Sequence, residues 1–156
     1  MLNSADAVDY FLKVLTFKNS PYYIDSLIEL IMIYKNSGRY DDALELFSKL
    51  DFTKIKNKDK IRNLSIVLGD LYFNLKKYSR ARDEYKRFTE LYPFSDEFIK
   101  ALYFYALSLE NLEVNPDFKE AYRIYKLIVA QYPSTIYYEL SKNRILYLDR
   151  HYFRIN

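Results

Sequence analysis

The stretch from Leu64 to Pro93, LSIVLGDLYFNLKKYSRARDEYKRFTELYP, constrains this chain more than any other. Leu68-Gly69 is followed one turn later by Tyr72, then by Ala81 nine residues on, Tyr85 four after that, and Pro93 at the close. The apolar spacing predicts two helices, near 60–75 and 78–91, joined by a tight turn at Lys76-Lys77. Gly69 and Ala81 are small, so two helices can cross closely there, while Tyr72 and Tyr85 fill the space beside the crossing. Pro93 ends the second helix because proline has no N–H to give the helical ladder.

The same plan recurs on both sides. Upstream, Ile24, Leu27, Leu30, Ile31 and Tyr34 predict a helix from about Tyr22 to Asn36, ended by Ser37-Gly38, where glycine can take the left-handed cap conformation. Arg39-Tyr40-Asp41-Asp42 then opens a helix that carries Ala43, Leu44, Phe47 and Leu50. Downstream, Leu102, Tyr105, Ala106 and Leu109 predict one helix and Ala121, Tyr125 and Ile128 its partner, with Pro133 closing the unit as Pro93 does. The turn Glu113-Val114-Asn115-Pro116-Asp117 is longer than Lys76-Lys77, an insertion that costs little.

At the start, Ser4 reads as an N-cap before an acidic first turn, and Asp6-Ala7-Val8-Asp9-Tyr10-Phe11 parallels Asp42-Ala43-Leu44-Glu45-Leu46-Phe47. The first helix therefore looks like the second half of a repeat, with an apolar face that wants a cover. Either the chain was cut from a longer protein or a partner supplies that cover. At the other end, a single helix from about Thr135 to Tyr152 is expected to cap the array.

The order leucine-glycine, tyrosine, alanine, aromatic, proline resembles the tetratricopeptide repeat, a helix–turn–helix unit of about 34 residues. The resemblance implies an all-α, right-handed α-solenoid of about eight helices: a half-repeat at 4–18, repeats at roughly 24–57, 62–95 and 99–135, and a capping helix at 135–153. All 156 residues would form a single domain. The closures Tyr92-Pro93-Phe94-Ser95 and Tyr132-Pro133-Ser134-Thr135 narrow it towards bacterial envelope scaffolds, the outer-membrane assembly lipoproteins of the BamD type and the Tol–Pal-associated coordinators of cell-wall work. Those are periplasmic and bind other proteins. The resemblance thus implies a protein partner in a hetero-complex and a place in the periplasm, at the inner leaflet of the outer membrane, with the cytoplasm as the alternative. With no Cys, the chain lacks the lipobox cysteine of such lipoproteins, so membrane association would come through a partner or a missing N-terminal region.

Composition agrees with a nearly all-helical chain, since only two Gly and four Pro interrupt it. Its 18 Tyr and 11 Phe can line both core and wet grooves, because tyrosine joins an apolar ring to a polar tip. A balance of 24 basic and 21 acidic side chains does not by itself point to nucleic acid. No apolar run approaches the ~18 residues of a membrane span, and MLNSADAVDY does not read as a signal peptide. An enzyme needs placed acids, bases or a nucleophile. The only histidine is His151, no His, Cys or carboxylate cluster has metal spacing, and no glycine-rich phosphate loop exists. No enzyme, metal or cofactor is expected.

By the resemblance, the inner wall of such a solenoid comes from the first helix of each pair. In the first repeat this selects Asp25, Ile28, Met32, Lys35 and Asn36. In the second it selects Asn63, Ile66, Asp70, Phe73 and Asn74, and in the third Lys100, Tyr103, Leu107, Glu110 and Asn111. Asn36, Asn74 and Asn111 fall at equivalent helix ends, where an amide can bond a peptide backbone in either sense, or simply cap its own helix. Ile28, Met32, Ile66, Phe73, Tyr103 and Leu107 would form a partly apolar trough for a partner, unless the last helix folds into it. The lysine-rich clamp that some family members use for a C-terminal carboxylate is not present as a set. A second surface is the unpaired first helix, with Phe11 and Leu15. The alternative function is nucleic-acid binding through the basic and aromatic segments 54–62 and 150–154, where cations alternate with rings; a solvated loop is the plainer reading of the run Lys54–Arg62.

Overall fold

The computed structural model describes residues 4–153. Met1–Asn3, the side chain of Ser4 with its expected cap, and Arg154 of the basic tail lie outside the described residues. Eight α-helices and no strand occur among them: α1 (Ser4–Leu15), α2 (Tyr23–Asn36), α3 (Tyr40–Phe47), α4 (Lys58–Asn74), α5 (Tyr78–Leu91), α6 (Phe98–Glu110), α7 (Phe118–Gln131) and α8 (Ile136–Leu148). The fold is the all-helical one that the sequence predicts.

The chain divides into two compact units, residues 1–64 and 65–156. In the first, α1 packs on α2 and α2 on α3. Leu27, Leu30, Ile31 and Tyr34 of α2 and Ala43, Leu46 and Phe47 of α3 are buried, at the spacing that puts them on one face of each helix. Ile55 and Leu64 are buried in the same unit. In the second, α5 packs on α6, α6 on α7 and α7 on α8. One core there gathers Ile66, Ala81, Tyr85, Phe88 and Ala101. A second gathers Leu102, Tyr103, Ala106 and Leu109 of α6 with Ala121, Ile124, Tyr125 and Ile128 of α7 and Leu148 of α8. Burying a side chain such as Leu71 or Phe88 is worth ~1.5–3 kcal/mol, so these stripes supply most of the drive for pairing helices.

Repetition is visible at the level of single torsions. Ala43 and Phe47, Ala81 and Tyr85, and Ala121 and Tyr125 are all buried one turn apart on α3, α5 and α7. Tyr92 and Tyr132 end α5 and α7 with nearly the same backbone angles, φ −131° and ψ 55° against φ −129° and ψ 54°, each before a proline. Gly38 has φ 78°, and Arg39 N–H reaches the Tyr34 carbonyl at 2.8 Å. Lys76 repeats that cap with φ 57°, and Lys77 N–H reaches the Tyr72 carbonyl at 2.9 Å.

Two ends differ from expectation. The helix opened at Tyr40 stops at Phe47 and does not carry Leu50; Ser48 Oγ donates back to the Glu45 carbonyl, and Asp51 accepts from both N–H and Oγ of Thr53 to set a 3₁₀ turn, Phe52–Lys54. The last helix leaves α geometry at Leu148 and widens into a π turn, Asp149–Phe153. There Tyr152 stacks on Phe118 with ring centroids 3.9 Å apart, and Phe153 meets Tyr122 at 5.0 Å.

Candidate functional site

Several residues expected on an open inner wall are instead spent on holding first helices together. In the second unit Asp70 of α4 is 6% exposed; its Oδ1 accepts the Tyr85 phenol of α5 at 2.9 Å and its Oδ2 accepts Lys100 Nζ of α6 at 2.7 Å. The next repeat has the same arrangement with different residues. Glu110 of α6 is 8% exposed, Tyr125 of α7 donates to its Oε1 at 2.5 Å, and Arg144 of α8 donates through Nε at 3.1 Å and through its second nitrogen to Oε2. Both tyrosines lie 15 residues after their acid. In the first unit Asp25 of α2 takes Lys60 of α4 at 2.7 Å, but here both side chains are about half exposed. An exposed pair is worth little, whereas breaking a buried one costs about 3–5 kcal/mol. Burial, then the adjacent carboxylate, push the Tyr85 and Tyr125 phenols well above their ordinary range, so both stay protonated donors.

The apolar trough is corrected by the same packing. Ile66 is 5% exposed and Tyr103 7%, so neither offers a surface. Tyr103 is covered by Tyr137 of α8, 5.4 Å between centroids, because the last helix folds over α6 as well as α7. Phe73 is half-buried, its ring against Phe104 at 5.0 Å and Tyr78 at 5.4 Å. Leu107 of the second unit, and Ile28 and Met32 of the first, are half-buried. The asparagines are exposed, but two of them are engaged: Asn74 Nδ2 donates to the Asp70 carbonyl at 2.8 Å and Asn111 Nδ2 to the Leu107 carbonyl at 2.7 Å. Each caps its own helix with one N–H and leaves its oxygen and its second N–H to a ligand.

In the first unit, Phe11 and Leu15 turn out half-buried, since α1 leans on α2. The exposed large apolar side chains on and after α1 are Tyr10, Leu12 and Phe17, the last 68% exposed. Between α1 and the end of α2 lies a recess of about 660 Å³, with Val8 and Asp9 on one side and Ile33, Tyr34, Asn36 and Arg39 on the other. Arg39 is fixed there, stacked 4.1 Å over the Tyr34 ring and bonded to Asp42 at 2.7 Å. Asn36 thus lines this recess.

Of the basic and aromatic segments, the tail has its rings occupied within the fold: Tyr152 on Phe118 and Phe153 on Tyr122. Lys54, Lys56 and Lys60 of the other segment line a cavity in the first unit together with Lys18 and Lys49, which no reading of the run alone would attach to it. Among the described residues no group of three His, Cys, Asp or Glu side chains could hold a metal ion, and no helix is long and apolar enough to cross a membrane.

Consecutive helices packed in this way define a helical-repeat protein. Residues 68–95 match the tetratricopeptide repeat family model, the stretch with Gly69, Ala81, Tyr85 and Pro93. That repeat and the helical fold together support a tetratricopeptide-repeat protein, a class that generally mediates protein–protein interaction. A search of the curated proteins found no match.

Proposed function

We propose that the protein is a non-enzymatic scaffold that holds a protein partner on open helix faces. The observation that carries this is the recess between α1 and the end of α2. It combines apolar walls, an exposed asparagine amide and an anchored guanidinium, and the same α1 helix also exposes Tyr10 and Leu12. Apolar surface of this kind beside fixed polar groups is how helical-repeat surfaces accept peptide segments. In the second unit Phe73, Leu107 and the Oδ1 atoms of Asn74 and Asn111 form a smaller candidate surface. Tyr103, Ile66 and Asp70 act there from beneath, as support.

The envelope setting rests on the closures at Tyr92-Pro93 and Tyr132-Pro133, and we include it in the proposal. A photo-crosslinking side chain placed at Asn36, at Tyr10, and at the exposed Lys119 of α7 as a control tests both parts. Adducts with one protein at Asn36 and Tyr10, absent at Lys119, are expected. Equal labelling at all three positions would overturn the scaffold surface, and adducts only with cytosolic proteins would overturn the envelope setting while leaving the surface standing.

A further inference from the structure

We infer that the lysine-lined cavity of the first unit binds a small anion carrying two or more phosphate groups. The cavity is about 800 Å³, within the ~300–1,000 Å³ of small-molecule sites. Three separate pieces of chain build it: the Lys18-Asn19-Ser20-Pro21 turn with the first turn of α2, Lys49 just after α3, and the connection from Asp51 into the first turn of α4. Ile55, 7% exposed, and Ile24 give it an apolar floor that holds its shape. Five lysines against Asp25, Asp51 and the Glu45 carboxylate bonded to Lys49 leave two net positive charges around one concave space.

The chemistry of those charges selects the ligand. Lys60 is paired with Asp25 at 2.7 Å, Lys49 with Glu45 at 2.7 Å and Lys54 with Asp51 at 3.7 Å, all of them exposed pairs that a stronger anion can share or displace. The bond to Glu45 also holds the Lys49 ammonium above its ordinary range. Lys18 and Lys56 have no ion-pair partner among the described residues, so their charge is unspent. No arginine lines the cavity, which removes the planar fork that reads a carboxylate bidentately. Compact ammonium groups act as point charges and favour the anion of highest charge density, which is phosphate. The N-terminus of α4 is not the basis of the site, since Asn57 Oδ1 already caps the N–H groups of Asp59 and Lys60 at 2.8 and 3.1 Å. A nucleic-acid strand would want a row of stacking rings, and the lining offers Tyr23 alone.

The inference is independent of the scaffold reading. Calorimetric titration of the full chain with inorganic tripolyphosphate, orthophosphate, a hexaglutamate peptide and a short single-stranded oligonucleotide tests it. Expected is saturable one-to-one binding of tripolyphosphate, weakened by salt, at least tenfold tighter than orthophosphate or hexaglutamate. Lys18→Gln with Lys56→Gln should weaken it about tenfold or more, while Lys86→Gln with Lys119→Gln, on exposed faces of α5 and α7, should leave it unchanged. Thermal unfolding of each double variant keeps loss of fold apart from loss of site, as all four lysines are exposed. Unsaturable binding, equal loss in both double variants, or tighter binding of the peptide or the oligonucleotide would overturn it.

Discussion

Asp70 and Glu110 show how a charged residue can be structural at a position where a binding role was expected. Each accepts a phenol from the following helix and a cation from the one after, so a buried carboxylate is fully answered. Tyr85 gives up its ordinary ionisation in return. Its phenol is raised above the ordinary value in the folded chain, so the stability it contributes is complete below ~10, the unfolded value, and is lost as pH rises beyond it. Alkaline titration followed by tyrosinate absorbance should show Tyr85 and Tyr125 ionising only with unfolding. Burial also raises the Tyr103, Tyr105 and Tyr137 phenols, so Tyr85→Phe and Tyr125→Phe together should shrink that late step by two phenols, and an undiminished step in the double variant would refute the assignment. Close packing beside Asp70 gives a second prediction. A Cβ at Gly69 would lie 2.8 Å from Tyr85 Cε1, and that ring is 1% exposed and held at its hydroxyl. Alanine gains ~1 kcal/mol of helix propensity, but forcing a buried ring aside costs ~1–3 kcal/mol. Gly69→Ala should lower stability by about 1 kcal/mol in urea unfolding, and an increase would show that the ring yields freely.

At the scale of the helix, what the sequence displays is what is local. Ala81 and Tyr85 sit four residues apart on one helix, so their shared face can be read from spacing alone, and α3 and α7 repeat it. The burial of Tyr103 is different, because the ring that covers it is Tyr137, on a helix whose course depends on everything between. The same reason hid the lysine cavity, which needs Lys18 beside Lys56. All six trough residues lie on first helices, but Ile66 and Tyr103 are buried there while Ile28, Met32, Phe73 and Leu107 stay half-exposed. One local feature also escaped: Gly38 announces its left-handed cap, whereas Lys76 fills the equivalent place at φ 57° without the residue that suits it. An L side chain there costs ~1–2 kcal/mol, part of which glycine returns through its freer unfolded chain. Lys76→Gly should raise stability by about 0.5–1 kcal/mol by chemical denaturation. A loss would mean that the lysine side chain contributes more than its backbone strain removes.

For the whole molecule, the two units are held by unlike means. The second contains two buried acid–tyrosine–cation links and a continuous set of aromatic contacts around Phe104, with Phe73, Tyr85 and Tyr103 all within 5.7 Å of it. The first relies on apolar burial, Tyr34 and Phe47 included, and an exposed Asp25–Lys60 pair. Hydrogen exchange should therefore find α5, α6 and α7 protected more strongly than α2 and α3. Equal protection throughout would mean that the buried links add nothing beyond the apolar core.

The spacing of those links also bears on how the chain is made. Asp70 precedes Lys100 by 30 residues, and Glu110 precedes Arg144 by 34. During synthesis each acid and its tyrosine leave the ribosome well before the cation that neutralises them, so a nascent hairpin carries an unanswered charge in its interior until another helix arrives. Folding is thereby biased to advance by a helix beyond each finished pair. Nascent chains halted after Pro133 should remain open to protease across α6 and α7, and chains extended past Leu148 should resist it.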